Sequence, residues 1–195
     1  MLELAPATRT LTRLVEGVSD DQLDGPTPCA NASLAALLDH VDGLALGFTQ
    51  AARKGGDRAP SADASKLGDD WRPRIAKRLA DLTEACGDQS AWTGMTWIAG
   101  LELPGEVVGA VAADEVIVHG WDVAKASGQT CEWPPELVEA ALGFVEPTVS
   151  QNPEGVPGMY RSRGCCSRRG QSPRTTPRPH GARPRLAATE LWLTR

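Results

Sequence analysis

No apolar run in this 195-residue chain approaches the ~18 residues needed to cross a bilayer, which excludes a membrane-spanning helix. The start, Met1-Leu2-Glu3-Leu4-Ala5-Pro6, lacks the basic-then-apolar pattern of a secretory signal. Cysteine is scarce: the five present are irregularly spaced and form no Cys-x-x-Cys, which argues against a thiolate zinc ribbon and against a disulfide scaffold. There is no internal repeat. These absences point to a soluble, cytoplasmic domain. With 41% apolar and 23% charged residues, the chain has the composition to bury a sizeable core.

The net charge of −5 averages two unlike stretches. Residues 1–158 hold 11 Lys and Arg against 24 Asp and Glu, whereas residues 159–195 hold nine Arg and one acid, Glu190. Beyond Val156 the chain has no Val, Ile, Phe, Lys or Asp. The acidic body is unsuited to nucleic acid. The tail has the composition of a disordered basic arm, yet it lacks the lysine and the basic periodicity usual in such arms. Its mixture of Arg, Pro, Gly, Ser and Cys reads better as GC-rich coding sequence translated out of frame from near Tyr160. Two regions are therefore expected: a folded body, 1–158, and a tail, 159–195, that is disordered or frameshift-derived.

Apolar period divides the body into helices. The first spans about Ala5 to Gly17, with Leu4, Ala7, Leu11, Leu14, Val15 and Val18 on one side. A second starts at Ser33, a favoured N-cap, and carries Leu34, Leu37, Leu38, Val41, Leu44, Ala45 and Phe48 until Gly55-Gly56. A third, capped by Asp69 or Asp70, turns Trp71, Ile75, Leu79, Leu82 and Cys86 inward. The stretch from Trp92 to Leu103 reads as an extended loop or a short strand. Pro104 opens a fourth helix reaching Ala126, before Gly128, and Pro134-Pro135-Glu136 opens a fifth with Leu137, Ala140, Ala141, Phe144 and Val145. The fold class is all-α: an up-and-down four-helix bundle with an extra C-terminal helix.

The fourth helix carries the chemistry. Glu115, His119 and Asp122 fall within roughly 60° of one another on its surface. Val108, Val111 and Ala126 share that face, so three ionisable groups point inward and need partners or a cation. A carboxylate and an imidazole four residues apart can reach one ion from successive turns. The body's one other histidine, His40, flanks the stripe of the second helix. Together they make a three-ligand site with open positions, the arrangement of catalytic rather than structural zinc. The residues alone leave open a plainer alternative, in which Glu115 and His119 form a helical ion pair and His40 is a hydrogen-bonded histidine at the edge of the core.

Thr27-Pro28-Cys29, Leu34-Ala35-Ala36-Leu37-Leu38-Asp39-His40-Val41, Asp114-Glu115-Val116-Ile117-Val118-His119-Gly120-Trp121-Asp122 and Ala126-Ser127-Gly128-Gln129 resemble the mycothiol-dependent maleylpyruvate isomerase N-terminal domain group. That group belongs to the DinB/YfiT-like metal-binding bundles, and the likeness is to its uncharacterised single-domain branch, over residues 1–158. The resemblance implies a divalent metal, zinc before nickel, on His40, Glu115 and His119, and a low-molecular-weight thiol as co-substrate. Two departures stand out. Ala30-Asn31-Ala32-Ser33 replaces the family's aromatic-bearing Gly-Trp-Thr segment, and nothing here is long enough to be the second domain of the full isomerases.

The expected function is a metal-dependent, thiol-linked transferase or isomerase acting on a small-molecule substrate. The rival is a non-catalytic metal- or ligand-binding bundle, open to homodimer formation, or an inactive relic of such an enzyme. Asp122 is the candidate catalytic residue, either as a base near the metal or as the group holding the free ring nitrogen of His119. Cys86 reads as core and Trp121 as a packing residue. Cys29, just ahead of a helix, reads as structural rather than nucleophilic.

Overall fold

The computed structural model describes residues 2–29, 32–55, 67–151, 155–156 and 160–161. Two compact units divide the chain, Met1–Pro147 and Thr148–Arg195. In the second, β3 (Gly155–Val156) pairs antiparallel with β4 (Tyr160–Arg161). The expected disorder or frame change of the tail lies otherwise outside the described residues.

The first unit is built on four long helices: α1 (Ala5–Glu16), α2 (Leu34–Ala52), α3 (Trp71–Gly87) and α5 (Gly105–Ser127). Helix α1 packs on α3 and α5, and α2 packs on the same two, so α1 and α2 face each other diagonally across the core. Leu11 and Leu14 of α1 meet Leu34 and Leu38 of α2, Ile75, Leu79 and Leu82 of α3, and Val116 and Val123 of α5, all buried. Each fully buried aliphatic side chain of this kind contributes about 1.5–3 kcal/mol. Helix α6 (Pro135–Gln151) adds buried Leu137 and Ala141. The side chains of Phe144 and Val145, expected beside them, lie outside the described set.

Helix ends follow local chemistry, with two departures from expectation. Ser33 caps α2 as expected, its Oγ accepting the Ala36 N–H. Gly128 ends α5 with φ 72°, the left-handed turn that glycine takes without strain. Asp70, however, stands at the N-cap of α3 without capping it, because Arg74 one turn on engages its carboxylate. Helix α2 stops at Ala52 rather than at the Gly55-Gly56 pair, with Lys54 in the left-handed region at φ 60°. Gly17 ends α1 at φ −80°, so its use is steric: the Gln129 side chain occupies the space a Cβ would need. Gln129 Nε2 then donates to the Leu14 carbonyl at 2.8 Å, tying the end of α5 to α1.

The ambiguous stretch after α3 is a short helix, α4 (Gln89–Trp92), and a hairpin of β1 (Met95–Ile98) and β2 (Leu101–Pro104). Ile98 pairs with Leu101 across a two-residue turn, Ala99-Gly100, in which both residues have positive φ, as the twist of a tight hairpin requires. Thr96 Oγ1 donates to the Ala51 carbonyl at 2.6 Å, and Trp92 Nε1 to Cys86 O at 2.7 Å. The hairpin is thereby fastened across the end of α2, and the four-helix core stays all-α.

Candidate functional site

The site lies where α5 faces α2. His40 sits on α2, and Glu115, His119 and Asp122 occupy three successive turns of α5. His40, Glu115 and His119 are half-buried, and their ligand atoms lie within 4.8 Å of one another. The His40 and His119 rings meet edge to face, with centroids 4.8 Å apart and planes at 86°. His119 Nε2 is 2.8 Å from Glu115 Oε2. The three residues expected to share an ion are thus brought together.

Asp122 lies behind them, 4% exposed, with Oδ2 3.4 Å from His119 Nδ1. The two nitrogens of one imidazole therefore face two carboxylates, Glu115 through Nε2 and Asp122 through Nδ1. A proton at Nδ1, directed to Asp122, leaves the Nε2 lone pair directed to the ligand triad. Asp122 Oδ2 thus lies beside the ring nitrogen of His119 that faces away from Glu115.

Electrostatics separate the two histidines. Burial pushes the His40 pKa below its usual value, and the neighbouring His119 lowers it further, against smaller opposing effects from Glu115 and Asp39. Burial also works against charge on His119, but hydrogen bonding with Asp122, Cys29 and Glu115 outweighs it and holds the pKa well above the usual range. One imidazole is kept neutral and the other is surrounded by acceptors. Two imidazoles and a carboxylate with converging donors are the donor set of an open zinc or nickel site, so these residues fit such an ion.

Cys29 also reaches the site. Its Sγ donates to Asp122 Oδ2 at 3.2 Å, so Cys29, His119 and Asp122 form a second group of potential ligands, again with donor atoms within 4.8 Å. The Thr27 hydroxyl accepts the Cys29 N–H at 3.1 Å, closing a local turn before the Ser33 cap. Cys86 and Trp121 behave as packing residues, Cys86 6% exposed in the core and Trp121 half-buried with Lys125 Nζ 5.3 Å from its ring centroid. A third aromatic contact had no sequence signal: the Trp133 ring rests on Gly120, where a Cβ would overlap it.

Among the described residues no helix is long and apolar enough to cross a membrane. Two uncharacterized proteins of Mycobacterium tuberculosis, from strains CDC 1551 / Oshkosh and ATCC 25618 / H37Rv, are each 29% identical over 160 residues, covering 80% of this chain and 82% of theirs. The crystal structure of the mycothiol-dependent maleylpyruvate isomerase superposes with a TM-score of 0.58 at 16% identity, covering 76% of this chain and 67% of that one. That likeness is one of fold, the DinB-like bundle. The sequence pattern of the mycothiol maleylpyruvate isomerase N-terminal domain matches residues 4–124, which include all of His40, Glu115, His119 and Asp122, and the chain belongs to that family.

Proposed function

We propose that the protein binds one divalent ion, zinc before nickel, on His40, Glu115 and His119, and uses it in a thiol-linked transfer or isomerisation of a small-molecule substrate. The observation that carries this reading is the meeting of three donors from two helices within 4.8 Å at a half-buried edge of the bundle. A bound ion would supply Lewis acidity, lowering the pKa of a ligated thiol or water and polarising a carbonyl. The chain's own residues prepare the place. Burial works against charge on His40, Asp122 lies against His119 Nδ1, and Leu11, Val41, Leu44 and Val116 form an apolar wall beside Glu115. The family name and the isomerase neighbour make mycothiol the first thiol to test. Maleylpyruvate isomerisation itself is not assigned.

A second reading, a bundle that binds metal or a small ligand without turnover, or a relic that no longer turns over, has one observation in its favour. The apolar pocket against Glu115 has a cavity of about 10 Å³, room for a single water. Metal content by mass spectrometry, followed by turnover assays with mycothiol and a panel of electrophiles, separates the readings. Near-stoichiometric metal with thiol-dependent turnover supports the enzyme, and metal without turnover supports the binder. No metal in the folded wild-type chain overturns the metal-dependent reading and leaves only a metal-free ligand binder or a relic.

A further inference from the structure

We infer that Cys29 is a positioning residue of the metal site: its thiol donates to Asp122 and fixes the carboxylate that orients His119. The inference deepens the metal reading and rests on it. The loop that carries Cys29 is held from both sides. Thr27 Oγ1 accepts the Cys29 N–H and donates to the Ala32 carbonyl at 3.0 Å, while the Ala32 N–H donates to Cys29 O at 3.2 Å. The Leu34 and Ala35 N–H groups, in the first turn of α2, donate back to the carbonyls of Gly25 and Leu23. This net delivers the Cys29 sulfur to a carboxylate 93 residues away on α5.

Asp122 is 4% exposed, and a buried carboxylate without donors is costly. His119 Nδ1, at 3.4 Å, is a long partner for it, at the outer limit of a hydrogen bond. Cys29 Sγ, at 3.2 Å, is within ordinary range for a sulfur donor and reaches the same oxygen, Oδ2. The position of that oxygen, and with it the plane of the His119 ring, is therefore set from the Thr27-Pro28-Cys29 loop. In this way α1's trailing loop acts on a ligand that neither α1 nor the loop supplies.

Cys29, His119 and Asp122 could instead be a second cation site, and the chemistry of the shared ring decides against it. A neutral imidazole has one lone pair. If Nε2 serves the ion shared with His40 and Glu115, Nδ1 carries a proton and is a donor to Asp122. The second group is then the support of the first rather than its competitor.

The test uses the full chain as wild type, Cys29→Ala, Cys29→Ser, Asp122→Asn and the Cys29→Ala/Asp122→Asn pair. In the metal-free proteins, imidazole nitrogen NMR reports the proton on His119 Nδ1 and its exchange with water. The wild type is expected to show an exchange-protected Nδ1–H, Cys29→Ala to lose that protection, and Cys29→Ser, whose hydroxyl can still donate, to regain it. Zinc competition titration on the same set is expected to show Cys29→Ala weaker by about tenfold. Cys29→Ser should lie close to wild type, and Cys29→Ala should have no further effect once Asp122 is Asn. A Cys29→Ala protein with wild-type NMR and zinc affinity overturns the inference. So does a near-ultraviolet thiolate-to-metal band in the cobalt-loaded wild type that vanishes in Cys29→Ala, since Cys29 would then be a ligand. Cys29-dependent protection of Nδ1–H in a protein that takes up no zinc would leave the positioning of His119 standing and remove the metal reading instead.

Discussion

Two polar clusters flank α2, and they solve the same burial problem in opposite ways. Asp42 and His40 are two residues apart, about 200° around the helix, so one turns to α3 and the other to α5. Asp42, 5% exposed, lies 2.9 Å from Arg74 Nε and 2.8 Å from Arg78 Nη1, and Arg78 also donates to its carbonyl. Side chains that are always charged balance that carboxylate. On the other face, the cluster comprises His40, Glu115, His119, Asp122 and Cys29. Within it only the imidazoles can carry positive charge. Permanent charge compensates the α3 side, although Asp42 Oδ1 has no hydrogen-bond partner among the described residues, whereas the α5 cluster itself is made of titratable groups alone. On the proposed reading, a cluster of the second kind is the one that holds the ion.

The contrast is broken most directly by emptying each side in turn. The His40→Ala/His119→Ala protein should lose stoichiometric zinc, a fall in affinity of more than 100-fold, while its metal-free fold persists. Metal analysis and circular dichroism on the same sample check this. Retained zinc in the double variant would place the ion elsewhere in the chain. Asp42→Ala should do the reverse. It leaves two guanidinium groups, 23% and 27% exposed, without their buried partner, and should cost about 3 kcal/mol in metal-free denaturant unfolding while zinc uptake is unchanged. A loss below about 0.5 kcal/mol would mean that the arginines find water as readily as they find Asp42.

These two clusters also show what could be read from the amino-acid order alone. The α5 cluster was legible because Glu115, His119 and Asp122 recur at three- and four-residue spacing on one helix, and helical geometry then fixes their common face. The stripe of α2, the Ser33 cap and the stop before Gly128 were legible for the same reason, each being a local pattern. Asp42 with Arg74 and Arg78 was not, because the partners are 32 and 36 residues apart and meet only once α2 and α3 pack. The meeting of Cys29 with Asp122 spans 93 residues and was equally hidden. The hairpin escaped because Ala99, which takes φ 51°, is not among the residues that announce a positive-φ turn.

A smaller effect sharpens the comparison at the back of α5. Gly120 follows His119, is buried, and lies under the Trp133 ring. Alanine is ordinarily better than glycine inside a helix by about 1 kcal/mol, so the sign of the change is informative. With Trp133 in place, Gly120→Ala should destabilise by about 1–3 kcal/mol through overpacking. In a Trp133→Ala background the same substitution should become stabilising. A stabilising Gly120→Ala in the wild-type chain would show that the ring moves aside freely and does not hold α5 in position.

The last contrast is between two thiols. Cys29 is half-buried beside a carboxylate, whereas Cys86 is 6% exposed on the apolar face of α3. Burial raises the Cys86 pKa to about 11 from an ordinary 9.0. Below pH 9 the thiol is protonated both folded and unfolded, so it adds no pH dependence. Between pH 9 and about 11 the unfolded chain releases this proton and the folded chain keeps it, so stability falls as pH rises. The full contribution is on the order of 2 kcal/mol, reached only near pH 11. Denaturant unfolding of the wild type and of Cys86→Ala from pH 8 to pH 11 isolates it as the difference in slope, since other titrating groups are common to both. Parallel slopes would mean that the folded thiol ionises as easily as the unfolded one. The apolar face of α3 at Cys86 would then be as open to solvent as the half-buried loop that carries Cys29.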